Sequence, residues 1–398
     1  MSTNRVIVGG VGMVPFKKPR DSRPYYEMGE EAVRAALADA GIDYSLVQQA
    51  YAGWVYGDST SGQFALYRVG ETGIPVVNVN NNCSTGSSAL FMARQAVESG
   101  AVQCALAVGF EQMPNGALEM QFEDRISPLA RFNEALGQRF TFDPELPFAP
   151  QYFGYAGQEH MERFGTQQET FAKISVKARK HAALNPFAVF REPITVDDVL
   201  KSPKIVGPLT RLMCCPPTCG AAAAILCTPE FAKRHGIEST ITIKAQVMST
   251  DLPTTFTGER ISNIVGYQVT AEAAEKVYAL SGVDPTDIPV VELHDCFATN
   301  EVLCYEALGL TPEGSAEKFV NDGENTFGGQ VVTNPSGGLL SKGHPLGATG
   351  LAQCAELVWQ LRGQAGDRQV DGATLALQHN LGLGGAGVVT LYEKVDSK

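Results

Sequence analysis

The chain is expected to fold as an α/β protein made of two similar halves, and three features of its 398 residues carry that expectation. Short runs rich in Val, Ile and Ala alternate with longer segments of helical apolar spacing, the pattern of buried strands covered by helices. Two distant stretches repeat one plan: a turn with a reactive side chain opens onto an amphipathic helix. Between about Asn115 and Lys204 charge and aromatics rise, and Pro144, Pro147, Pro150 and Pro186 break the periodicity, which marks an inserted segment covering a site.

The strand-like runs are Val6–Val8, Gln103–Val108, Ile241–Ala245, Pro289–Leu293, Ala373–Leu377 and Val388–Tyr392. Helical spacing covers Tyr26–Ala40, Gly86–Ser99, Thr270–Ser281 and Gly347–Gln364. In the first half Val76–Val79 leads through Asn80, Asn81 and Asn82 to Cys83, and a helix follows. In the second half Asn334-Pro-Ser-Gly-Gly338 leads to Gly343-His344-Pro345-Leu-Gly-Ala-Thr-Gly350, and the helical Leu351–Leu361 follows. At roughly 150 residues per domain the length suits two or three units.

Composition removes several classes of function. A formal charge of −12 argues against nucleic acid, which needs clustered cations, and the basic group Lys17, Lys18 and Arg20 sits in a Pro-rich, solvated stretch. There is no apolar run of the roughly 18 residues that a membrane span requires. Nine cysteines, an odd number, argue against a disulfide framework. Met1–Val8 lacks the charged and apolar blocks of a signal peptide, and Val395–Lys398 is not a peroxisomal address, so a cytoplasmic protein is expected.

Cys83 stands just before a helix, where unpaired amides and the helix dipole stabilise a thiolate. Its neighbours Asn80, Asn81, Asn82, Ser84 and Thr85 are polar company that a packed core would not choose. Cys104, Cys227, Cys304 and Cys354 sit in apolar patterns and read as inert filler. His344, between Gly343 and Pro345, is expected at a loop surface as the base a cysteine nucleophile needs. His294 and Cys296 follow a strand directly and, two residues apart on extended chain, point the same way. Cys296 then suits acid/base work and His294 an oxyanion donor. A zinc site at these two residues lacks further ligands, since Cys214, Cys215 and Cys219 show no finger spacing. The glycine-rich turn Gly382–Gly387 precedes a strand, unlike a dinucleotide fingerprint, and its amides suit an oxyanion hole. His379 is read as structural, and His160, His181 and His235, in charged helical stretches, as solvated.

Taken in order, Asn82-Cys83-Ser-Thr-Gly86, His294-Asp-Cys296-Phe297, Asn334–Gly338, Gly343–Gly350 and the terminal glycine turn resemble the thiolase superfamily over essentially the whole chain. Within it the chain is most similar to the SCP2-thiolase branch, the thiolase domain of sterol carrier protein X. The resemblance implies two βαβαβαββ halves in an α/β/α/β/α core. The first half would comprise residues 1–116 and 213–265, a loop insertion 117–212, and the second half 266–398. It implies Cys83 as nucleophile, His344 as its activating base, and His294 and Cys296 as the branch's signature pair. The amides of Cys83 and Gly384 would form an oxyanion hole. Most other thiolases have Asn-Glu-Ala-Phe in place of His-Asp-Cys-Phe and carry the second cysteine in the terminal loop, where this chain has Asn380 and Leu381. Relatives usually have Asp where this chain has Cys219, a position read as structural.

The implied activity is an acetyl-CoA C-acyltransferase of lipid metabolism that cleaves 3-ketoacyl-CoA with CoA. It would serve fatty-acid β-oxidation or steroid degradation, with branched or steroid-side-chain acyl groups. The resemblance implies CoA and acyl-CoA as partners, no metal or redox cofactor, and a homodimer or homotetramer. Three other readings differ from it. A retro-aldolase on a steroid-type CoA thioester needs a partner subunit and, in the relatives concerned, lacks the nucleophilic cysteine. A ketoacyl synthase needs no second thiol. A lipid- or acyl-CoA-binding module would tolerate loss of Cys83.

Overall fold

The computed structural model describes residues 5–395 apart from 117, 119–121, 123 and 144. Pro144, the expected insertion start at 117 and the terminal residues 396–398 therefore lie outside the described residues.

Ten strands form one sheet: β1 (Val6–Met13), β2 (Gln49–Gly53), β3 (Val76–Val79), β4 (Cys104–Glu111), β5 (Gly220–Cys227), β6 (Ile241–Ser249), β7 (Val290–Glu292), β8 (Val332–Thr333), β9 (Leu375–Gly382) and β10 (Ala386–Lys394). Their order is β3-β2-β4-β5-β1-β6-β10-β9-β7-β8. Read outward from the centre, β1-β5-β4-β2-β3 and β6-β10-β9-β7-β8 repeat one arrangement, which is the duplication expected from the paired motifs. Within the sheet the halves adjoin at β1 and β6, where Val6 pairs with Ile243 and Ile7 with Thr242. By this topology the second half begins at β6, so the expected boundary at residue 266 moves back to before Ile241.

What joins the halves is the pair of helices Thr85–Glu98 and Thr349–Arg362. Both are rich in Ala and buried, and Ala89, Leu90 and Ala93 share one core with Leu351, Ala352 and Ala355 and with strands of both halves. Thr349–Arg362 is buried almost throughout, whereas Thr85–Glu98 turns Arg94, Gln95 and Glu98 toward solvent at its C-terminal end. The outer faces of the sheet are covered by Tyr25–Ala40 in the first half and Tyr267–Ser281 in the second, completing the layered order.

The inserted segment folds into the helices Ala130–Gly137, Phe148–Phe164, Gln168–Ala183 and Val196–Lys201. It is fastened to the second half by buried polar bonds. Lys177 pairs with Glu301 and donates to Thr333, while His181 bonds the carbonyl of Asn334 at 2.9 Å and Thr326 at 2.8 Å. His160 likewise bridges Thr166 at 2.8 Å and Glu306 at 3.1 Å. Both histidines are buried, contrary to the solvated reading, because their helix faces pack onto the second half.

Candidate active site

Strand β3 delivers the chain to Cys83 through a turn held by its asparagines. Asn82 adopts a left-handed φ of 50°, and its side chain donates to the carbonyl of Leu383 at 2.9 Å, across the two halves. Asparagine tolerates this conformation better than most residues, which accounts for its presence immediately before the cysteine. Asn334, after the corresponding strand β8, has a φ of 51°, so the duplicated plan extends to backbone strain.

Cys83 lies two residues before the first turn of Thr85–Glu98 and is buried. Burial pushes its thiol up to about 12, and the nearby Glu111 adds to the rise. The amides of Cys83 and Leu383 pull the other way. Desolvation therefore outweighs the helix terminus, and the resting nucleophile is a neutral thiol. The second amide beside the sulfur is that of Leu383, one residue earlier in the glycine turn than the expected Gly384, which does not line the site.

His344 follows Gly343, whose φ of 121° no β-carbon would favour. Its amide donates to Thr218 Oγ1 at 2.6 Å, and its Nδ1 lies 2.7 Å from Thr349 Oγ1. The Thr349 hydroxyl has one hydrogen and gives it to the carbonyl of Pro345 at 3.0 Å. With that hydrogen on the carbonyl, the hydroxyl accepts from Nδ1–H, which leaves the lone pair on Nε2. That Nε2 has no partner among the described residues. The ring is buried rather than held at a loop surface, and desolvation lowers it to about 3, so it stands ready as a neutral base.

His294 and Cys296 emerge from the end of β7 and are both buried. Burial and the neighbouring His344 and His379 hold His294 well below the usual imidazole range. The rings of His294 and His344 stand edge to face, 5.1 Å between centroids. The Cys83 sulfur and one ring nitrogen from each histidine lie within 4.8 Å of one another. Desolvation raises the Cys296 thiol well above its ordinary value, and Cys215 and Cys83 are close enough to add to the rise. Cys296 is thus a protonated thiol at rest.

All four residues face one cavity of about 570 Å³. Its remaining wall is mostly apolar and comes from the insertion, through Leu146, Phe148, Phe153 and Ile205, and from Phe297 and Leu383. Phe153 of the insertion stacks on Phe297 of the second half, 4.8 Å between centroids. Lys204 and Arg211 are exposed on the same lining. Cys219 lies off the cavity, and its buried thiol donates to the carbonyl of Met113, which fits the structural role expected of it. His379 is buried and bonds Thr270 at 2.9 Å, again a structural placement.

Three groups that hold this site have no role assigned by the sequence reading. Thr349 sets the His344 ring, Asn380 bonds His294, and Glu111 accepts amides from both halves.

Known proteins resemble the chain over nearly its whole length. Residues 6–229 match the family model described as thiolase, N-terminal domain, and residues 254–392 match thiolase C-terminal domain-like. The chain is 55% identical to sterol carrier protein 2 of Rattus norvegicus over 98% of its own length and 72% of that protein's. It is 33% identical to an acetyl-CoA acetyltransferase of Methanothermobacter thermautotrophicus, over 98% and 99% of the two chains. Among solved structures it is similar to the Ltp2-ChsH2(DUF35) aldolase, with a TM-score of 0.83 and 25% identity over 99% of each chain. Human mitochondrial 3-ketoacyl-CoA thiolase shares the fold, at a TM-score of 0.74 and 18% identity over 98% of this chain and 99% of that one.

Proposed function

Because the chain belongs to the thiolase family, in its SCP2-thiolase branch, we propose that it cleaves 3-ketoacyl-CoA with CoA through an acyl group carried on Cys83. The observation that carries this reading is the convergence of two thiols and two neutral imidazoles on one apolar cavity. The lone pair of His344 Nε2 takes the Cys83 proton as the sulfur attacks the 3-keto carbon. The bond between C2 and C3 then breaks, leaving the shortened acyl group on sulfur and an enolate on the departing CoA thioester. His294 and the newly protonated His344 donate to the enolate oxygen. Cys296, still protonated in the resting site, gives its proton to the enolate carbon. Its thiolate then takes the proton of incoming CoA, whose sulfur displaces Cys83 and releases the shortened acyl-CoA, and the freed Cys83 sulfur regains its proton from His344. The amides of Cys83 and Leu383 hold the thioester oxygen. Thiols and imidazoles supply every proton transfer, so the scheme needs no metal or redox cofactor.

The volume of the cavity falls in the range of roughly 300–1,000 Å³ typical of ligand sites, and its aromatic wall favours bulky, branched or steroid-side-chain acyl groups. The reading extends to a homodimer or homotetramer. Strand β3 is a sheet edge with Val77 exposed, and Phe64 and Tyr67 are exposed on the adjoining helix Ser61–Tyr67, an apolar edge suited to a second copy.

The likeness to the aldolase favours one other reading, retro-aldol cleavage of a CoA thioester, in which Cys83 would be dispensable. CoA-dependent cleavage of acetoacetyl-, longer straight-chain and 2-methyl-branched 3-ketoacyl-CoA separates the two. Loss of cleavage in Cys83→Ala and Cys296→Ala, with acyl-Cys83 trapped in the latter, supports the thiolase scheme. Cleavage of a 3-hydroxyacyl-CoA that needs no free CoA and survives Cys83→Ala supports the aldolase.

A further inference from the structure

We propose that Asn380 is the positioning residue that fixes His294 as an Nε2–H donor, so that His294 and His344 present opposite polarities to the cavity. The proposal rests on the thiolase reading for its consequence in catalysis, but the hydrogen-bond chain behind it stands on its own.

Each link of that chain has a polarity forced by a group that can act in only one way. The carbonyl of Cys83 can only accept, and Asn380 Nδ2 lies 3.2 Å from it. The Ser87 hydroxyl reaches Asn380 Oδ1 at 2.8 Å. Ser87 can give that hydrogen because its oxygen receives Gln378 Nε2 at 2.9 Å. Gln378 is oriented in turn by the carbonyl of Gly350, which takes Nε2 at 2.6 Å, and by the Tyr392 hydroxyl, which donates to Oε1. Two carbonyls at opposite ends of the chain thus fix both amide orientations independently.

The same Asn380 Nδ2 lies 3.0 Å from His294 Nδ1. A donor facing Nδ1 requires a lone pair there, and a neutral imidazole then carries its hydrogen on Nε2. Burial keeps the ring neutral. His344 is held in the converse form by Thr349, with hydrogen on Nδ1 and a lone pair on Nε2. One histidine can therefore donate to an oxygen from the start, while the other first takes a proton from Cys83. A cation bound between Cys83 and the two rings would have to displace the His294 hydrogen, so the tautomer also disfavours metal at this cluster.

Because Asn380 bonds the Cys83 carbonyl as well, a single side chain from β9 sets both the nucleophile's turn and the orientation of its oxyanion donor. Neither Ser87 nor Asn380 lines the cavity, so the chain acts from behind it.

The experiment is side-chain ¹⁵N NMR of the full-length protein labelled at histidine, assigned with His294→Gln and His344→Gln, alongside kinetics of Asn380→Asp. In the wild type at neutral pH, His294 is expected to be protonated on Nε2 and His344 on Nδ1. In Asn380→Asp the carboxylate accepts from Nδ1, so His294 should become protonated there. The kcat for 3-ketoacyl-CoA cleavage should then fall about 100-fold, the loss typical of one oxyanion donor, with little change in KM. Wild-type His294 protonated on Nδ1 would overturn the proposal, as would a fall in kcat in Asn380→Asp with the His294 tautomer unchanged. The wild-type spectrum decides the tautomer even if Asn380→Asp fails to fold, or if the wild type cleaves no 3-ketoacyl-CoA.

Discussion

Glu111, at the end of β4, accepts the amide of Gly347 on Oε2 at 2.9 Å, and so ties the first half to the turn that carries His344. The same carboxylate takes the amides of Val55 at 3.0 Å and Tyr56 at 2.9 Å. It is fully buried, and desolvation raises it to about 7 despite these three donors. Glu111→Ala would strand three amides, and each buried, unpaired donor costs about 1–3 kcal/mol. We expect a large drop in the urea midpoint, with a smaller one for Glu111→Gln, whose remaining carbonyl keeps an acceptor. Glu111→Gln also removes negative charge near Cys83 and should make the thiol more acidic, which the pH dependence of its alkylation will report.

The Cys83 thiol itself gives the second prediction. With its acidity weakened to about 12, only a small fraction is thiolate at neutral pH. In the absence of acyl-CoA, alkylation of the Cys83 peptide by iodoacetamide, followed by mass spectrometry, should rise about tenfold per pH unit between pH 7 and 10, because the thiolate is the reactive form. A plateau starting near pH 6–8 would instead mean a resting thiolate–imidazolium pair.

The close approach of the halves is a third point of test. A β-carbon on Gly109 would sit 2.0 Å from the carbonyl oxygen of Gly347, and one on Gly347 would sit 2.4 Å from that of Phe110. These are backbone contacts that cannot swing aside. Gly109→Ala should therefore cost more than the roughly 1–3 kcal/mol of ordinary overpacking, and its thermal midpoint should fall well below that of Gly41→Ala at an uncrowded helix end.

Much of this was legible in the sequence, for reasons that also set the limit. Cys83, His294, Cys296 and His344 stand in Asn- and Gly-rich turns at strand and helix ends, where a reactive side chain is conspicuous. Strand β5, Gly220–Cys227, is less so, because its four alanines suit a helix by propensity. It is a strand because β1 and β4 pair with both its edges in a fully buried sheet. The histidines of the insertion mislead for a related reason. His181 has charged sequence neighbours, yet it shares a helix face with Lys177, and that face is buried against Thr333 and Asn334. Asn380 and Glu111 meet partners 86 and 236 residues away, and no local pattern announces such pairs.

The stacked pair Phe153 and Phe297 predicts how the cavity can be reshaped. Phe153→Ala removes a ring from the wall and from the contact between insertion and second half, and truncation of a buried Phe costs about 3–5 kcal/mol. We expect lower stability together with a shift in kcat/KM toward bulkier 2-branched 3-ketoacyl-CoA relative to acetoacetyl-CoA. Phe153→Leu should keep most of the stability and show a smaller shift. An unchanged substrate ratio in both variants would mean that the acyl chain runs elsewhere.

The buried histidines make stability depend on pH, with a sign that can be worked out. His181, His344 and His379 are lowered to about 3, and His294 well below its ordinary value, all mainly by desolvation. Unfolded histidine titrates near 6.5. Between about pH 3 and 6.5 the unfolded chain therefore binds protons that the folded chain refuses, and stability falls as pH is lowered through that window. Each such group contributes a slope of about 1.4 kcal/mol per pH unit. Glu111 and Asp295, raised by burial, take up protons in the folded state across the same window and offset part of it, so the net slope near pH 5 stays below the roughly 5 kcal/mol per unit of the four histidines alone. Urea unfolding from pH 8 down to 4.5 should show a midpoint that declines below about pH 6, less steeply than the histidines alone would give. His379→Gln touches Thr270 and Cys304 rather than the cavity, and should shallow that slope by about one proton's worth. A slope that does not change in His379→Gln would mean that this ring protonates in the folded state.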